Sequence, residues 1–100
     1  MPIIRLFRVR IRTALREEFE AKFAVISVNA VRDAEGALAV EIFKPGRWEP
    51  DEYLMISRWQ DEKALRRFAG EDWNRAFIPE GMERFVKDCA VHHFTGWDDC

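Results

Sequence analysis

Two adjacent histidines near the end of the chain are the first candidates for acid–base chemistry. His92 and His93 are the only histidines among the 100 residues, and a neutral imidazole can take a proton from a phenolic substrate. Consecutive strand residues point to opposite faces, so only one of the two can enter a cavity between a sheet and its helices. The alternative is that each is a hydrogen-bonded histidine of the sheet or of an interface.

The dipeptide Trp73-Asn74 is a second candidate, on a short helical piece predicted at Glu71–Ile78. An indole can stack on a planar ligand, and a side-chain amide can hydrogen-bond a carbonyl or an oxyanion. The alternative is a core tryptophan beside a solvated asparagine. His93, His92 and Asn74 are therefore the predicted catalytic residues, and Trp73 is a predicted substrate contact.

Large aromatic residues recur along the chain and could line a dry substrate pocket, although the same spacings are typical of an ordinary core. The members predicted to contact substrate are Phe7, Phe23, Phe68 and Phe77. Cys89 and Cys100 lack the spacing of a metal site, and the sequence has no glycine-rich nucleotide motif. We therefore expect neither a metal nor a bound cofactor.

The stretch 51–68 must organise the elements that position these residues. Tyr53–Gln60 is rich in β-forming residues and predicts a strand whose two faces are both apolar. Tyr53, Met55 and Trp59 point one way, while Leu54 and Ile56 point the other. Asp61 is a favourable N-cap for a helix that carries Leu65 and Phe68 and ends near Gly70.

The first 32 residues predict a strand followed by a long helix. Ile3–Arg12 alternates, but Arg5 interrupts the otherwise apolar face that contains Phe7 and Val9. A helix over Ala14–Arg32 should lay one continuous apolar stripe on the sheet. The stripe consists of Leu15, Phe19, Phe23, Ile26 and Ala30.

The remaining patterns complete a single domain over residues 1–100, with 95–100 expected to be a loose tail. Ala37–Lys44 predicts a strand with Leu38, Val40 and Ile42 on one face, and the Pro- and Gly-containing stretch Lys44–Asp51 predicts a hairpin loop. Phe85–Phe94 predicts the last strand. The order β-α-β-β-α-β indicates an α+β, ferredoxin-like sandwich, with a four-stranded antiparallel sheet and helices on one face.

The second face of this sheet needs a cover, because several predicted strands carry large apolar residues on both of their faces. We predict that two copies pack face to face as a homodimer that closes a barrel, with Arg8, Arg10, Glu41 and Arg58 pairing in or around the interface. The net charge of −2 argues against nucleic acid as a partner, and no apolar run is long enough for a membrane span. Cytoplasm is the expected location.

These patterns resemble the antibiotic biosynthesis monooxygenase (ABM) domain family. The segments that carry the resemblance are IIRLFRVRIR, LREEFEAKF and YLMISRWQDEKALRRF. The resemblance implies a dimeric α/β barrel and a cofactor-independent monooxygenase acting on a small aromatic or quinol-like substrate. Its alternatives are a non-catalytic, ligand-binding or structural dimer of the same fold, and a haem-degrading monooxygenase. The haem-degrading branch places Asn, Trp and His where this chain has Phe7, Phe68, and Phe77 or Ile78.

Overall fold

The computed structural model describes residues 2–74 and 81–97, and four antiparallel strands form its one sheet, in the order β2-β3-β1-β4. Helices cover one face of this sheet, so the predicted α+β, ferredoxin-like architecture is confirmed. The strands are β1 (Ile3–Ile11), β2 (Ala37–Phe43), β3 (Glu52–Trp59) and β4 (Val86–Thr95). Thr95, expected in the loose tail, is thus the last residue of β4.

The first helical stretch is continuous, but it contains a wider π-helical turn that the sequence pattern did not predict. Its sections are a 3₁₀ turn (Thr13–Leu15), α1 (Arg16–Lys22), a π-helical segment (Phe23–Ser27) and α2 (Val28–Arg32). A π turn contains one residue more than an α turn, so the side chains after it face a different direction from the one the α-helical period predicts. The predicted stripe is therefore wrong at Ile26, which is 38% exposed, while Ser27, Val28 and Val31 are buried. Ala30, the last residue of the predicted stripe, is partly buried.

The helix after β3 follows the prediction closely. α3 spans Glu62–Ala69, and the side chain of Asp61 accepts a hydrogen bond from the Ala64 backbone N–H at 2.8 Å, as an N-cap residue should. Leu65 is fully buried, and the ring centroid of Phe68 lies 4.9 Å from that of Trp59. This contact packs α3 against the end of β3.

Two local predictions differ from the structure. Residues 71–74 form turns rather than the start of a helix, and the rest of that predicted helical piece lies outside the described residues. Leu38 is 58% exposed, because it lies at the β2–β3 register shift between Ala37 and Ala39 and has no Cα partner in β3. A short 3₁₀ turn at Glu83–Phe85 leads into β4.

The core lies between the sheet and the helices, and the strand alternation decides which side chains enter it. Tyr53, Met55, Ser57 and Trp59 of β3 are all buried on the helix side, as are Val9 and Ile11 of β1. Among the described residues, no helix is both long enough and apolar enough to cross a membrane.

Gly36 lies close to α3 and provides a stability test. A Cβ at Gly36 would lie 2.3 Å from Cβ of Ala64, and Gly36 has a φ of 89°. Gly70 has a φ of 84° with no atom within 4 Å of its added Cβ. We expect Gly36→Ala to lower the free energy of unfolding by about 2 kcal/mol more than Gly70→Ala, because only Gly36 adds a clash to the backbone strain.

Urea denaturation of both variants measures this difference, with Gly70→Ala as the matched control for the positive φ alone. Equal losses of stability in the two variants would show that α3 does not pack on the Gly36 turn as described.

Candidate functional site

A buried arginine is the centre of the candidate site. Arg5 lies on β1 and points to the helix side, where its side chain is only 4% exposed. Its Nη1 donates a hydrogen bond of 2.6 Å to the backbone carbonyl of Trp73 and lies 2.9 Å from Nε2 of His93. Burial lowers the pKa of Arg5 to about 10, so the guanidinium is still charged at neutral pH.

His93 is paired with Arg5 by the strand register as well as by the hydrogen bond. Arg5 and His93 are opposite each other in the β1–β4 pairing and therefore share the helix side, whereas His92 lies opposite Leu6 on the other face. A guanidinium can only donate, so Nε2 of His93 accepts and the imidazole proton sits on Nδ1. Burial, and then the charge of Arg5, lower the pKa of His93, which keeps this imidazole neutral.

The pKa shift of His93 predicts how stability changes with pH. Because the folded-state pKa lies below the ordinary value of 6.5, the unfolded chain binds a proton first as the pH falls below about 6.5. The free energy of unfolding should therefore fall with pH in that range. We expect His93→Gln to reduce this fall, as measured by urea midpoints at pH 7.5 and 5.5. The same fall in the variant as in the parent would contradict the assignment.

A small cavity adjoins Arg5, with a volume of about 30 Å³. That space holds one or two water molecules and is too small for an aromatic ring. Besides Arg5, the lining is mostly apolar and contains the hydroxyl groups of Ser27 and Ser57. The lining residues are Arg5, Phe7, Ser27, Ala30, Val31, Met55, Ser57 and Phe68. Ser57 already accepts a hydrogen bond of 3.0 Å from the indole N–H of Trp59. A ring-sized ligand can enter only if a wall side chain moves.

The structure brings some of the predicted site residues to this place and not others. Trp73 is half-buried and meets the imidazole of His93 edge to face, with ring centroids 4.8 Å apart. Asn74 is exposed and His92 lies on the far face of the sheet. Phe77 lies outside the described residues. Phe23 stacks on Phe19 at 4.9 Å and does not line the cavity beside Arg5.

A second polar cluster lies at the other end of the helical layer, around Tyr53. The Tyr53 hydroxyl donates to Glu20, and Arg16 donates to the same hydroxyl at 3.1 Å. Burial, and then the hydrogen bond to Glu20, raise the pKa of Tyr53 to about 12. The phenol is therefore a poor acid, and the cluster packs α1 against β3. A cleft of about 400 Å³ opens between this cluster and β2.

Residues 2–74 and 81–97 contain no cluster of side chains that could bind a metal ion. No group of three or more His, Cys, Asp or Glu side chains lies close enough there to hold an ion. The described site therefore offers one fixed positive charge, one neutral imidazole and aromatic walls.

Comparison with known proteins identifies the family. The sequence model of the family called "antibiotic biosynthesis monooxygenase" (ABM) matches residues 2–80. The chain belongs to the ABM family. This confirms the resemblance found in its strand and helix patterns. A comparison with curated proteins gives no match.

Solved structures share the ABM fold at low sequence identity. SnoaB of Streptomyces nogalater, a cofactor-independent oxygenase, is 20% identical with a TM-score of 0.73, covering 96% of this chain and 93% of its own. A haem-degrading protein of Mycobacterium tuberculosis is 19% identical with a TM-score of 0.65, covering 95% and 93%. Rv0793 of the same organism is 14% identical with a TM-score of 0.74, covering 96% and 95%. At these identities the likeness shows the fold alone.

Proposed function

We propose that this ABM protein is a cofactor-independent monooxygenase that oxidises a small aromatic or quinol-like substrate beside Arg5 and His93. The observation that supports the proposal is a buried guanidinium hydrogen-bonded to a neutral imidazole, at the wall of a mostly apolar cavity. The structural likeness to an oxygenase that works without a cofactor is consistent with it.

The substrate supplies the electrons in such a reaction. In an anthrone, the CH₂ of the central ring is conjugated through the flanking aryl rings with the ketone opposite it. It loses one proton, and the carbanion formed is delocalised onto the ketone oxygen as an enolate. Electron transfer to O₂ and recombination make a C–O bond and give a hydroperoxide once protonated. Loss of water then leaves a carbonyl. One oxygen atom ends in the product and the other in water, and the substrate loses four electrons.

Arg5 has the clearest role in this scheme. A fixed positive charge about 4 Å from an enolate oxygen contributes about 4 kcal/mol at the effective dielectric constant of a protein site. This corresponds to lowering the substrate's pKa by about three units. The same charge stabilises the superoxide formed when O₂ accepts an electron. The charge is already in place before substrate binds, because the hydrogen bonds to His93 and Trp73 hold the guanidinium.

His93 acts as the base only when the substrate changes its hydrogen bonding. In the structure the Nε2 lone pair of His93 accepts the N–H of Arg5 and is therefore occupied. When a substrate oxygen replaces His93 as the acceptor for Arg5, Nε2 is released to take the substrate's proton. Trp73 and Phe68 would hold the ring, with Phe68 moving on α3 to enlarge the cavity. We assign no part in this reaction to Asn74 or His92.

Oxygen consumption tests the proposal. Purified protein is added to a panel of anthrones and quinols in an oxygen electrode, with heat-denatured protein correcting for autoxidation. We expect oxygen uptake that saturates with at least one substrate and is lost in His93→Ala. No uptake above autoxidation across the panel would overturn the enzymatic proposal.

The main alternative is a non-catalytic, ligand-binding or structural dimer of the same fold. The small volume of the cavity beside Arg5 favours it, because an apolar ligand needs more space than the described cavity offers. Binding of a fluorescent anthraquinone without oxygen uptake would support this alternative.

Haem degradation is a further alternative, and titration with haemin tests it. The imidazole of His93 is held by Arg5, and the positions that correspond to the haem-degrading branch carry Phe7 and Phe68. We expect no Soret band at one equivalent per chain. A stoichiometric Soret band would favour the haem-degrading alternative.

We further propose that the chain is a homodimer through the helix-free face of the sheet. Ile4, Leu6, Leu54 and Ile56 form a connected apolar patch at the centre of that face. A standard stable interface buries about 800 Å² on each partner, which is about an eighth of the 6549 Å² surface of the chain. Light scattering coupled to size-exclusion chromatography measures the oligomeric state.

A further inference from the structure

The cavity beside Arg5 lies on one side of the guanidinium, and the imidazole of His93 lies on the other. The strand register places Ser57 of β3, Arg5 of β1 and His93 of β4 in one row across the helix side of the sheet. The described lining of the cavity includes Met55 and Ser57 of β3 but no residue of β4. The buried charge therefore stands between a small space over β3 and the imidazole over β4.

The size and lining of this cavity suit an apolar molecule of two atoms. Its volume of about 30 Å³ is about twice the roughly 10–15 Å³ that one water-sized sphere needs. The guanidinium of Arg5 is already bonded to His93 and to the Trp73 carbonyl. The hydroxyl of Ser57 already accepts a hydrogen bond from an indole N–H. A buried water makes about three hydrogen bonds, and beyond the hydroxyl of Ser27 this lining offers it little.

We propose that this cavity is the O₂ site of the oxygenation, separate from the place where the organic ring binds. The inference rests on the proposed function and names where the second substrate of that reaction is held. The organic ring lies on the side of Arg5 that carries His93 and Trp73. O₂ lies on the side that carries Met55 and Ser57, and the guanidinium is adjacent to both.

The position beside Arg5 favours the reduced form of O₂ over O₂ itself. Neutral O₂ interacts weakly with the guanidinium and is held by the apolar walls. When the substrate carbanion passes one electron to it, superoxide and a carbon radical form, and the full positive charge then stabilises the superoxide. An interaction that strengthens only as the reaction proceeds raises the rate of the chemical step.

Ser57 adds a hydrogen-bond donor to the same place. Trp59 donates its indole N–H to the Ser57 oxygen at 3.0 Å, which occupies a lone pair and leaves the hydroxyl proton able to donate. That proton can bond to superoxide. The superoxide and the carbon radical then recombine to form the C–O bond, after Phe68 has moved and opened the cavity towards the ring.

Paramagnetic relaxation by dissolved O₂ tests the site without any turnover. O₂ is paramagnetic and speeds the relaxation of methyl protons that it approaches. The methyl signals of Val31 and Met55, which line the cavity, are compared under O₂ and under N₂ pressure with those of Val28. Val28 is the matched control, because it lies on the same helix as Val31 and is equally buried, at 7% against 5% exposed. We expect an enhancement several times larger at Val31 and Met55. Equal enhancements at all three would overturn the inference.

Filling the cavity is the second test. Ala30→Val adds two carbon atoms to the cavity wall, which is the space of the diatomic molecule. We expect the KM for O₂ to rise about tenfold, because O₂ would have to enter an overpacked site, while the KM for the organic substrate stays near the parent value. Ala24→Val, the same change at an exposed position of the π-helical segment, is the control and should change neither constant.

The two tests separate a failure of this site from a failure of the proposed function. Oxygen uptake by the parent protein without local relaxation at Val31 and Met55 would overturn only the O₂ site. A rise in the KM for the organic substrate alone in Ala30→Val would place the organic ring in the cavity and would also overturn it. Absence of uptake by the parent across the substrate panel would overturn the proposed function and, with it, the catalytic use of this cavity.

Discussion

Replacing Arg5 by methionine is expected to lower the turnover number for oxygenation by about 100- to 1000-fold, the range found when a charge-stabilising group is removed from an active site. The reason is that Arg5 supplies the buried positive charge of the described cavity, 2.9 Å from His93. Methionine has a similar length and no charge, so the substrate's enolate and superoxide would lose their stabilising partner. Oxygen uptake at saturating substrate measures the change.

The control for this variant is Arg66→Met, which makes the same change on the exposed side of α3. Within residues 2–74 and 81–97, the Arg66 side chain pairs with Glu62, at 3.0 Å on the surface. Such a pair contributes about 0.3–0.5 kcal/mol. Activity and urea midpoint should both stay near the parent values. If Arg5→Met kept full activity while remaining folded, the proposed role of the guanidinium would be wrong.

Replacing Ile56 by aspartate is expected to convert the proposed dimer into a monomer. Ile56 lies in the apolar patch at the centre of the helix-free face, opposite Leu6 in the β1–β3 register. In the dimer a carboxylate at this position would be buried without a partner, in both copies at once, at a cost of several kcal/mol for each. The dissociation constant should therefore rise by at least about a thousandfold. Sedimentation velocity at micromolar concentration measures the shift.

Val25→Asp is the matched control, since it introduces the same charge in place of a branched apolar residue. Val25 lies in the π-helical segment, on the opposite side of the sheet, and is already 57% exposed. This variant should sediment like the parent protein. A dimer that persists in Ile56→Asp would place the interface on another surface.

The elements and the sheet faces could be predicted from the sequence because local patterns determine them. Alternation in β3 correctly separated Tyr53 and Trp59 from Leu54 and Ile56. The shift of the buried helical stripe could not be predicted, since nothing in the 3.6-residue period marks the π turn at Phe23–Ser27. The exposure of Leu38 likewise depends on a register shift between two strands.

The candidate site was only partly visible in the sequence. Alternation showed that His92 and His93 must face opposite sides, but only the pairing of β4 with β1 shows that His93 is the one on the helix side. Arg5 was missed as a site residue, although it was the single charge on the apolar face of an alternating strand. A lone arginine at such a position signals either a register error or a buried functional group.

Isotope labelling shows whether the protein itself transfers oxygen from O₂ to a substrate. The protein is incubated with ¹⁸O₂ and an anthrone-type substrate that it consumes, and the product is analysed by mass spectrometry against Arg5→Met and an enzyme-free reaction. We expect one ¹⁸O atom in each product molecule, in the newly formed carbonyl, at a rate that depends on the protein and falls with the loss of Arg5. Product formed no faster than in the enzyme-free reaction, or with its new oxygen taken from water, would contradict it.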